Sequence, residues 1–465
     1  MDTKDRKSIC APITPLGTAD KIKNLTGLGF FSGSLEKKIP NASTADTLEF
    51  YLSRVSEPKN KHTKLQKEKN KMISTLLVYL TLPLSGFAID VYLPSFPGLL
   101  EDLNTSMPLL QMTITVFLLS YGISQFFMGS VVDSFGRYKI GIAVLFLFAL
   151  SSFAIAGITN IQIIIAIRAV QGFLIATMMI CQRSFLVDLH KDEPLKLKKY
   201  TSLVSIVWSA APIIAPFAGG YLQYYLGWQS NFYFLAIYAL LAMVLHLVFS
   251  GEALNDFKPF RFHYIKKAYK EMLITKDFVL GVVFLGTSFT MVILFGMSIP
   301  FIAEHKYHFT SKISGNMALL SGIAILLGGM FARYHIQKNF IRKISYSIFA
   351  QIAVAVLMLL AGWFTDSLLG IMPFVILLHF GGGFQYNVYF TYCLTRFTGF
   401  AGLSTGFISG GAYIITSFWV FLILQFLVVD SQVNMAVYYI VITLLLLLIL
   451  VLVLPSLLLL QKRNK

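Results

Sequence analysis

The sequence predicts an all-α polytopic membrane protein with twelve transmembrane helices in two six-helix halves and with both termini in the cytoplasm. Of its 465 residues, 56% are hydrophobic and 13% are charged, and the mean hydropathy is +0.71. A soluble domain does not carry that much apolar surface. Twelve apolar runs follow one another between short polar breaks, each near the ~20 residues that cross a bilayer. A water-soluble enzyme is therefore excluded as the main interpretation.

The chain is expected to have five segments. Residues 1–71 are polar, rich in lysine and interrupted by prolines, so they read as a disordered basic cytoplasmic tail. The tail has no apolar stretch of secretory length, which argues against a signal peptide. It is followed by an N-terminal six-helix bundle (72–249), a cytoplasmic central loop (250–277), a C-terminal six-helix bundle (278–460) and a cytoplasmic end (461–465).

The twelve spans can be placed along the chain from the apolar runs. They are expected at 73–97, 108–132, 138–157, 161–188, 200–223, 228–249, 278–302, 313–333, 343–363, 367–394, 400–428 and 434–458. The central loop divides them six and six, as in a chain built from two similar halves. A short repetition agrees with this division, because GSVVD (129–133) and GMFAR (329–333) occupy equivalent positions in spans two and eight.

The positive charges give the expected orientation. Lysine and arginine in short loops stay on the cytoplasmic side of a membrane. With the tail inside, 34 of the 38 basic residues fall in inside segments, and Arg168 and Arg183 lie within span four. Topology thus explains the net charge of +16, and no nucleic-acid partner is required. Cys10, Cys181 and Cys393 lack metal-ligand spacing, so neither a disulfide framework nor a metal site is expected.

Two charged residues lie in the outer half of the predicted membrane region, Asp90 in span one and Arg168 in span four. A charge inside a bilayer costs at least ~2.5–3.5 kcal/mol, so it is paired or faces water. Because their charges are opposite, we expect these two side chains to pair. Burial favours the protonated carboxyl, whereas a neighbouring guanidinium favours the ionised form. We therefore predict a proton-coupling site at Asp90 and Arg168; the alternative is a static ion pair that only joins spans one and four.

Span one should be irregular beside Asp90. The sequence DVYLPSFP places Pro94 and Pro97 directly after it. Each proline removes an amide donor and disfavours helix at the residue before it. Irregular backbone at membrane depth is tolerated next to protein or a water-filled cavity, so Asp90 is expected on a cavity wall.

Span five carries two prolines four residues apart, Pro212 and Pro216, followed by Gly219 and Gly220. The prolines share one helix face, and the small residues allow a neighbouring helix to come close. We predict a flexible kink in a closely packed helix.

The loop between spans two and three holds several residues suited to a conformational latch. Gly129, Asp133, Gly136 and Arg137 lie in it, and Asp188 ends span four. Gly136 permits a tight turn, and Arg137 can reach an acid such as Asp188. Such a cluster would form when the inner side is closed; the alternative is ordinary loop charge.

Together these segments resemble the major facilitator superfamily. The loop GSVVDSFGR (129–137) resembles its GxxxDxxGR signature, and RAVQG (168–172) resembles its RxxQG motif. APIIAPFAGG (211–220) and DVYLP (90–94) are similar to motifs of the bicyclomycin-resistance (Bcr/CflA) subfamily of drug:proton antiporters.

The resemblance implies the major facilitator fold and alternating access. Asp90 and Arg168 would then belong to the proton-coupling region, and the span-five motif would favour export. The implied partners are a small-molecule substrate, protons and the lipid bilayer. No cofactor other than the proton gradient is implied. A monomer in a bacterial inner (plasma) membrane is expected.

A substrate cavity would be mostly aromatic with a few polar anchors. Gln385 and Asn387 point different ways on a helix, so at most one faces the pore. His379 is either a satisfied structural histidine or a second proton site. The candidate lining residues are Tyr92, Phe117, Tyr121, Gln125, Gln171, His379, Tyr386 and Asn387.

The sequence therefore favours proton-driven export of small, moderately hydrophobic molecules. A dedicated exporter of one endogenous metabolite, such as a siderophore, fits equally well. A solute:proton symporter on the same fold is disfavoured by the span-five prolines and glycines. A membrane enzyme is not expected, because the acids and histidines are dispersed.

Overall fold

A computed structural model describes residues 68–254, 262–335, 339–364, 367–397, 401–427 and 429–463. The predicted tail, 1–71, lies outside the described residues except for its last four. Those four are helical, because the first helix already begins at Glu68.

The described residues are almost entirely helical, which confirms the all-α class. Short 3₁₀ and π turns at Leu93–Ser95 and Ile302–Lys306 follow helices α2 and α10. The helices are α1 (Glu68–Thr81), α2 (Leu84–Asp90), α3 (Phe96–Asp102), α4 (Met107–Phe135), α5 (Arg137–Ala156), α6 (Ile161–Leu189), α7 (Pro194–Leu226), α8 (Gln229–Phe249), α9 (Phe262–Ile274), α10 (Lys276–Phe301), α11 (Ser311–Tyr334), α12 (Phe340–Ala361), α13 (Leu368–Arg396), α14 (Ala401–Phe426) and α15 (Gln432–Arg463).

Eleven helical segments in the described ranges are long and apolar enough to cross a membrane. They coincide with eleven of the twelve predicted spans. The remaining one, span five, coincides with α7, a helix of 33 residues that is not among the eleven. At 1.5 Å per residue this helix is about 50 Å long, which exceeds the thickness of a bilayer core.

Span one is divided into α1, α2 and α3 by two interruptions. The second interruption, directly after Asp90, confirms the predicted break. The first, at Leu82 and Pro83, was not predicted. By contrast, α7 continues as one helix through both Pro212 and Pro216.

The two halves meet along two helix pairs. Spans two and eleven (α4 and α14) form one interface, and spans five and eight (α7 and α11) form the other. A shift of six spans exchanges these two interfaces, because span two corresponds to eight and span five to eleven. The packing therefore has the symmetry expected of two similar halves.

Small residues allow close approach at both interfaces. A Cβ on Gly122 of α4 would lie 2.6 Å from the Gly410 carbonyl oxygen of α14, and the reverse distance is the same. At the other interface, a Cβ on Gly315 would lie 2.7 Å from the Pro216 carbonyl oxygen. Backbone-to-backbone packing of this kind is how membrane helices associate without a hydrophobic driving force.

Part of the central loop is helical and packs on the first interface. The Tyr269 hydroxyl of α9 donates a hydrogen bond of 2.7 Å to the Phe126 carbonyl of α4. Burial raises the pKa of Tyr269 to about 12, so the phenol remains a neutral donor at physiological pH. The ring of Phe407 from α14 packs on both Phe126 and Tyr269.

We predict that Gly122→Val destabilises the protein, because its side chain would overlap the backbone of α14. Overpacking of this kind costs ~1–3 kcal/mol. Thermal unfolding of the purified protein measures the effect. Gly402→Ala is the matched control, since a Cβ on Gly402 of α14 meets no atom within 4 Å. Equal melting temperatures for the two variants would contradict the close approach.

Candidate functional site

Arg168 is completely buried in the N-terminal half and makes specific hydrogen bonds. Its Nη1 donates to Oε1 of Gln171 at 2.8 Å, and its Nη2 donates to the carbonyl oxygen of Ala88 at 3.0 Å. Gln171 in turn donates to Oγ of Ser152 at 2.9 Å. This network joins spans one, three and four.

The broken first span explains why Arg168 binds Ala88. Ala88 lies in the last turn of α2, where carbonyl groups lose their intrahelical amide partners and carry partial negative charge. The Arg168 guanidinium also lies 4.6 Å and 4.1 Å from the ring centroids of Tyr92 and Phe117. Such cation–π contacts stabilise a desolvated cation. Arg168 is thus compensated by a helix end, an amide and two rings.

The predicted ion pair between Asp90 and Arg168 is wrong in this conformation. No nitrogen–oxygen distance between these two side chains is within 4.0 Å. Asp90, the last residue of α2, is partly exposed. Its carboxylate lies within electrostatic range of the phenols of Tyr92 and of Tyr413, which belongs to the other half.

The span-five motif touches the first span on one side. A Cβ on Gly219 would overlap the Val91 carbonyl group, immediately after Asp90. Gly86 of α2 packs on Pro212 and Ala211 in the same way. The glycine at 219 is therefore required for α7 to contact the irregular segment.

The other side of this motif contacts the second half. The Ser311 hydroxyl donates a hydrogen bond of 3.0 Å to the Gly220 carbonyl, and the Pro216 carbonyl lies against Gly315. One helix segment thus links the break beside Asp90 to the interface between the halves.

We call the end of the bundle that carries Arg137, Lys196 and Arg396 the basic end. At the opposite end the two halves are in contact. Leu93 packs on Gly296 of α10, and the rings of Phe96 and Phe301 lie 6.3 Å apart.

The residues of the predicted latch come together at the basic end. Arg137 Nη2 lies 2.7 Å from Oδ1 of Asp133, while Nη1 pairs with Asp188 and donates to the Ser184 carbonyl at 3.3 Å. Gly136 precedes it with φ of +97°, a conformation that favours glycine. The structure therefore brings Asp133, Arg137 and Asp188 together. Their role as a latch stays a prediction, and no close contact in the described part of the chain explains Gly129.

Sequence reasoning missed two further acidic residues at the basic end. Glu252, almost fully buried, accepts a hydrogen bond of 3.1 Å from the Tyr138 backbone amide in the first turn of α5. Asp277 accepts from Arg396 Nε at 2.7 Å and from the Tyr392 hydroxyl at 2.6 Å. The sequence feature that could have identified Asp277 is an acidic residue directly before the predicted start of span seven.

Three of the eight candidate cavity residues lie where the halves meet, and two of these belong to a group of aromatic side chains. Tyr121 of α4 packs on Tyr413 of α14 with ring centroids 4.5 Å apart. Phe289 of α10 lies 5.7 Å from Tyr413 and 6.2 Å from Tyr386 of α13. We call these four residues the central aromatic cluster. Arg183 of α6, also missed, lies within electrostatic range of its three tyrosines.

Three other candidates in the N-terminal half lie in its interior instead. Tyr92 is buried and hydrogen-bonded to Thr113 at 3.0 Å, while Phe117 and Gln171 surround Arg168. Gln125 lies at the first interface, where its amide is 3.5 Å from the Ala176 carbonyl.

Two candidates in the C-terminal half also lie outside the cluster. His379 is buried, with Nδ1 2.5 Å from Ser321 Oγ and Nε2 2.9 Å from the Tyr439 hydroxyl. Both ring nitrogens are therefore satisfied, as the structural interpretation required. Asn387 is exposed and donates to the Gly383 carbonyl at 2.9 Å.

Two similar helical halves that meet around a charged and aromatic centre define a polytopic membrane transporter. Residues 78–420 match the Major Facilitator Superfamily, and the chain belongs to that family. The resemblance to this superfamily is thereby confirmed. The protein is a transporter and not an enzyme.

Relatives agree with this assignment. The chain is 29% identical over 307 residues to the uncharacterized MFS-type transporter YdgK of Bacillus subtilis, covering 62% of this chain and 73% of that protein. It is 34% identical over 180 residues to a bicyclomycin resistance protein homolog of Haemophilus influenzae, covering 38% of this chain and 45% of the relative. The crystal structure of the nucleoside transporter NupG shares the fold, with a TM-score of 0.65 at 14% identity over 82% of this chain and 99% of that one.

We predict that Arg137→Gln lowers stability, because it leaves Asp133 and Asp188 without their common partner. Removing one member of a partly buried cluster of this kind costs ~2–3 kcal/mol. Arg137→Lys should recover only part of the loss, since ammonium cannot bridge two carboxylates in the fork geometry of guanidinium. Thermal unfolding is the measurement, and Lys139→Gln, an exposed charge in the same loop, is the control. An Arg137→Gln protein as stable as this control would exclude a stabilising cluster.

Proposed function

We propose that the protein is a proton-coupled secondary transporter that exports small, moderately hydrophobic molecules by alternating access. The observation that carries the proposal is the environment of Asp90. This carboxylate ends a broken helix, is partly exposed and, among the residues that the structure describes, has no guanidinium within 4.0 Å. A group in that setting is free to gain and lose a proton as its hydration changes.

Orientation follows from the charge distribution. With α7 counted as a span, the chain crosses the membrane twelve times and the basic end faces the cytoplasm. Both termini are then cytoplasmic. The bacterial relatives favour the plasma membrane of a bacterium as the location, and the protein acts as a monomer.

The packing around Asp90 suggests how protonation and conformation are coupled. Ionised Asp90 requires water or a donor, whereas protonated Asp90 tolerates an apolar surrounding. Gly219 of α7 lies against the segment that follows Asp90, and Gly220 lies against the second half. A change of charge on Asp90 therefore biases the interface on which the halves rock, and the contacts opposite the basic end open or close with it.

Export of hydrophobic molecules is supported by the relatives. Among them are proteins named for bicyclomycin resistance and for multidrug resistance. The aromatic cluster between the halves offers an apolar surface for such a molecule.

We predict that Asp90→Asn lowers the uptake of substrate into inside-out vesicles at least tenfold when that uptake is driven by a pH gradient. Asparagine imitates the protonated carboxyl and cannot release a proton. Because the halves still rock, exchange of labelled for unlabelled substrate should persist. The assay uses a panel of labelled hydrophobic drugs that includes bicyclomycin.

Asp192→Asn is the matched control for this experiment, since it makes the same change at an exposed position of the basic end. It should retain gradient-driven uptake. Full gradient-driven uptake by Asp90→Asn would remove Asp90 from the coupling mechanism.

A further inference from the structure

Arg183 is the second arginine of α6 and lies six residues before that helix ends at Leu189. It stands 15 residues after Arg168, which is a little over four helical turns, so the two arginines lie about 60° apart around α6. The Arg183 side chain is only partly exposed, and its Nε, like that of Arg168, is buried without a hydrogen-bond partner among the described residues. Among the described residues, no carboxylate lies within 4.0 Å of its guanidinium.

The surroundings of Arg183 come from both halves of the protein. Tyr121, Tyr386 and Tyr413 of the central aromatic cluster are within its electrostatic range. Tyr121 belongs to the N-terminal half, and the other two belong to the C-terminal half. A molecule held between Arg183 and these rings would therefore contact both the N-terminal and the C-terminal half.

A comparison with Arg168 shows what is missing at Arg183. Arg168 has a helix end, an amide oxygen and two ring faces to offset its desolvation. Among the described residues, Arg183 has no hydrogen bond or ion pair of this kind, and three tyrosines lie within its electrostatic range. An uncompensated arginine at membrane depth is costly, and such residues mark substrate pathways.

From this contrast we infer that the site between the halves binds organic anions, with Arg183 as the ligand of a substrate carboxylate. Guanidinium binds carboxylate in a bidentate geometry that gives both energy and orientation. The aromatic cluster then contacts the apolar body of the same molecule. The substrate is thus an amphipathic carboxylate. This inference rests on the proposed transport function and specifies its substrate class.

Binding to the purified full-length protein tests the inference. The probes are pairs of compounds that differ only in charge, namely 2-naphthoate with 2-naphthamide, indole-3-acetate with its amide, and decanoate with decanamide. Calorimetric titration should give at least one carboxylate that binds about tenfold or more tightly than its amide, the size expected for a charge-assisted hydrogen-bonded pair. In Arg183→Gln that preference should disappear, and in Arg183→Lys it should persist in weakened form.

Lys198→Gln is the matched control, because it removes one exposed positive charge near the same end. It should keep the preference. Thermal unfolding identifies any variant that is merely misfolded, in which case Arg183→Lys decides. The inference is overturned if the wild type prefers the amide in every pair, or if Arg183→Gln keeps its preference for carboxylate.

The Asp90→Asn protein separates this inference from the transport proposal. It should retain the carboxylate preference in calorimetry while losing gradient-driven uptake. Gradient-driven uptake that survives in Asp90→Asn, together with a preference lost in Arg183→Gln, would refute the proton-coupling role and leave the anion site intact.

Discussion

The structure depends on one buried contact, the guanidinium of Arg168 against the carbonyl of Ala88. The prolines after Asp90 interrupt the first span, and an interrupted helix leaves carbonyl groups without amide partners. In a membrane these groups have no water to bind, so another part of the protein must supply a donor. Arg168 supplies it, and the same contact offsets part of the cost of burying the cation, together with Gln171 and two aromatic rings. The break and the arginine therefore stabilise each other.

This arrangement leaves Asp90 without the partner that a buried arginine would have provided. Two arginines on one helix consequently have different environments. Arg168 is held inside its own half, whereas Arg183 approaches the central aromatic cluster, where residues of both halves meet. Tyr413 lies within electrostatic range of both Asp90 and Arg183. A proton on one charge and a ligand on the other would thus act on the same interface between the halves.

Features encoded locally were predictable from the sequence, and those that depend on which side of a helix faces inward were not. The spans follow from apolar runs, the break after Asp90 follows from two prolines, and the approach of Arg137 to Asp133 follows from the tight turn that Gly136 permits between them. The burial of Tyr92 and His379 inside their own halves was not predictable, because a span that is hydrophobic all round has no periodicity to orient it. The contact between Arg168 and Ala88 was missed for a related reason. A backbone carbonyl that loses its helical partner cannot be recognised from the side chains in the sequence.

Asp90 is proposed to exchange a proton because the guanidinium of Arg168 binds Ala88 and Gln171 instead. Infrared difference spectroscopy of the purified protein across a pH series, with Asp90→Asn as the subtraction reference, follows the protonation of this one carboxyl group. A carboxylic-acid carbonyl band should appear as the pH falls and should be absent from the variant. A carboxyl group at Asp90 that keeps one protonation state at every pH at which the protein stays folded would contradict it.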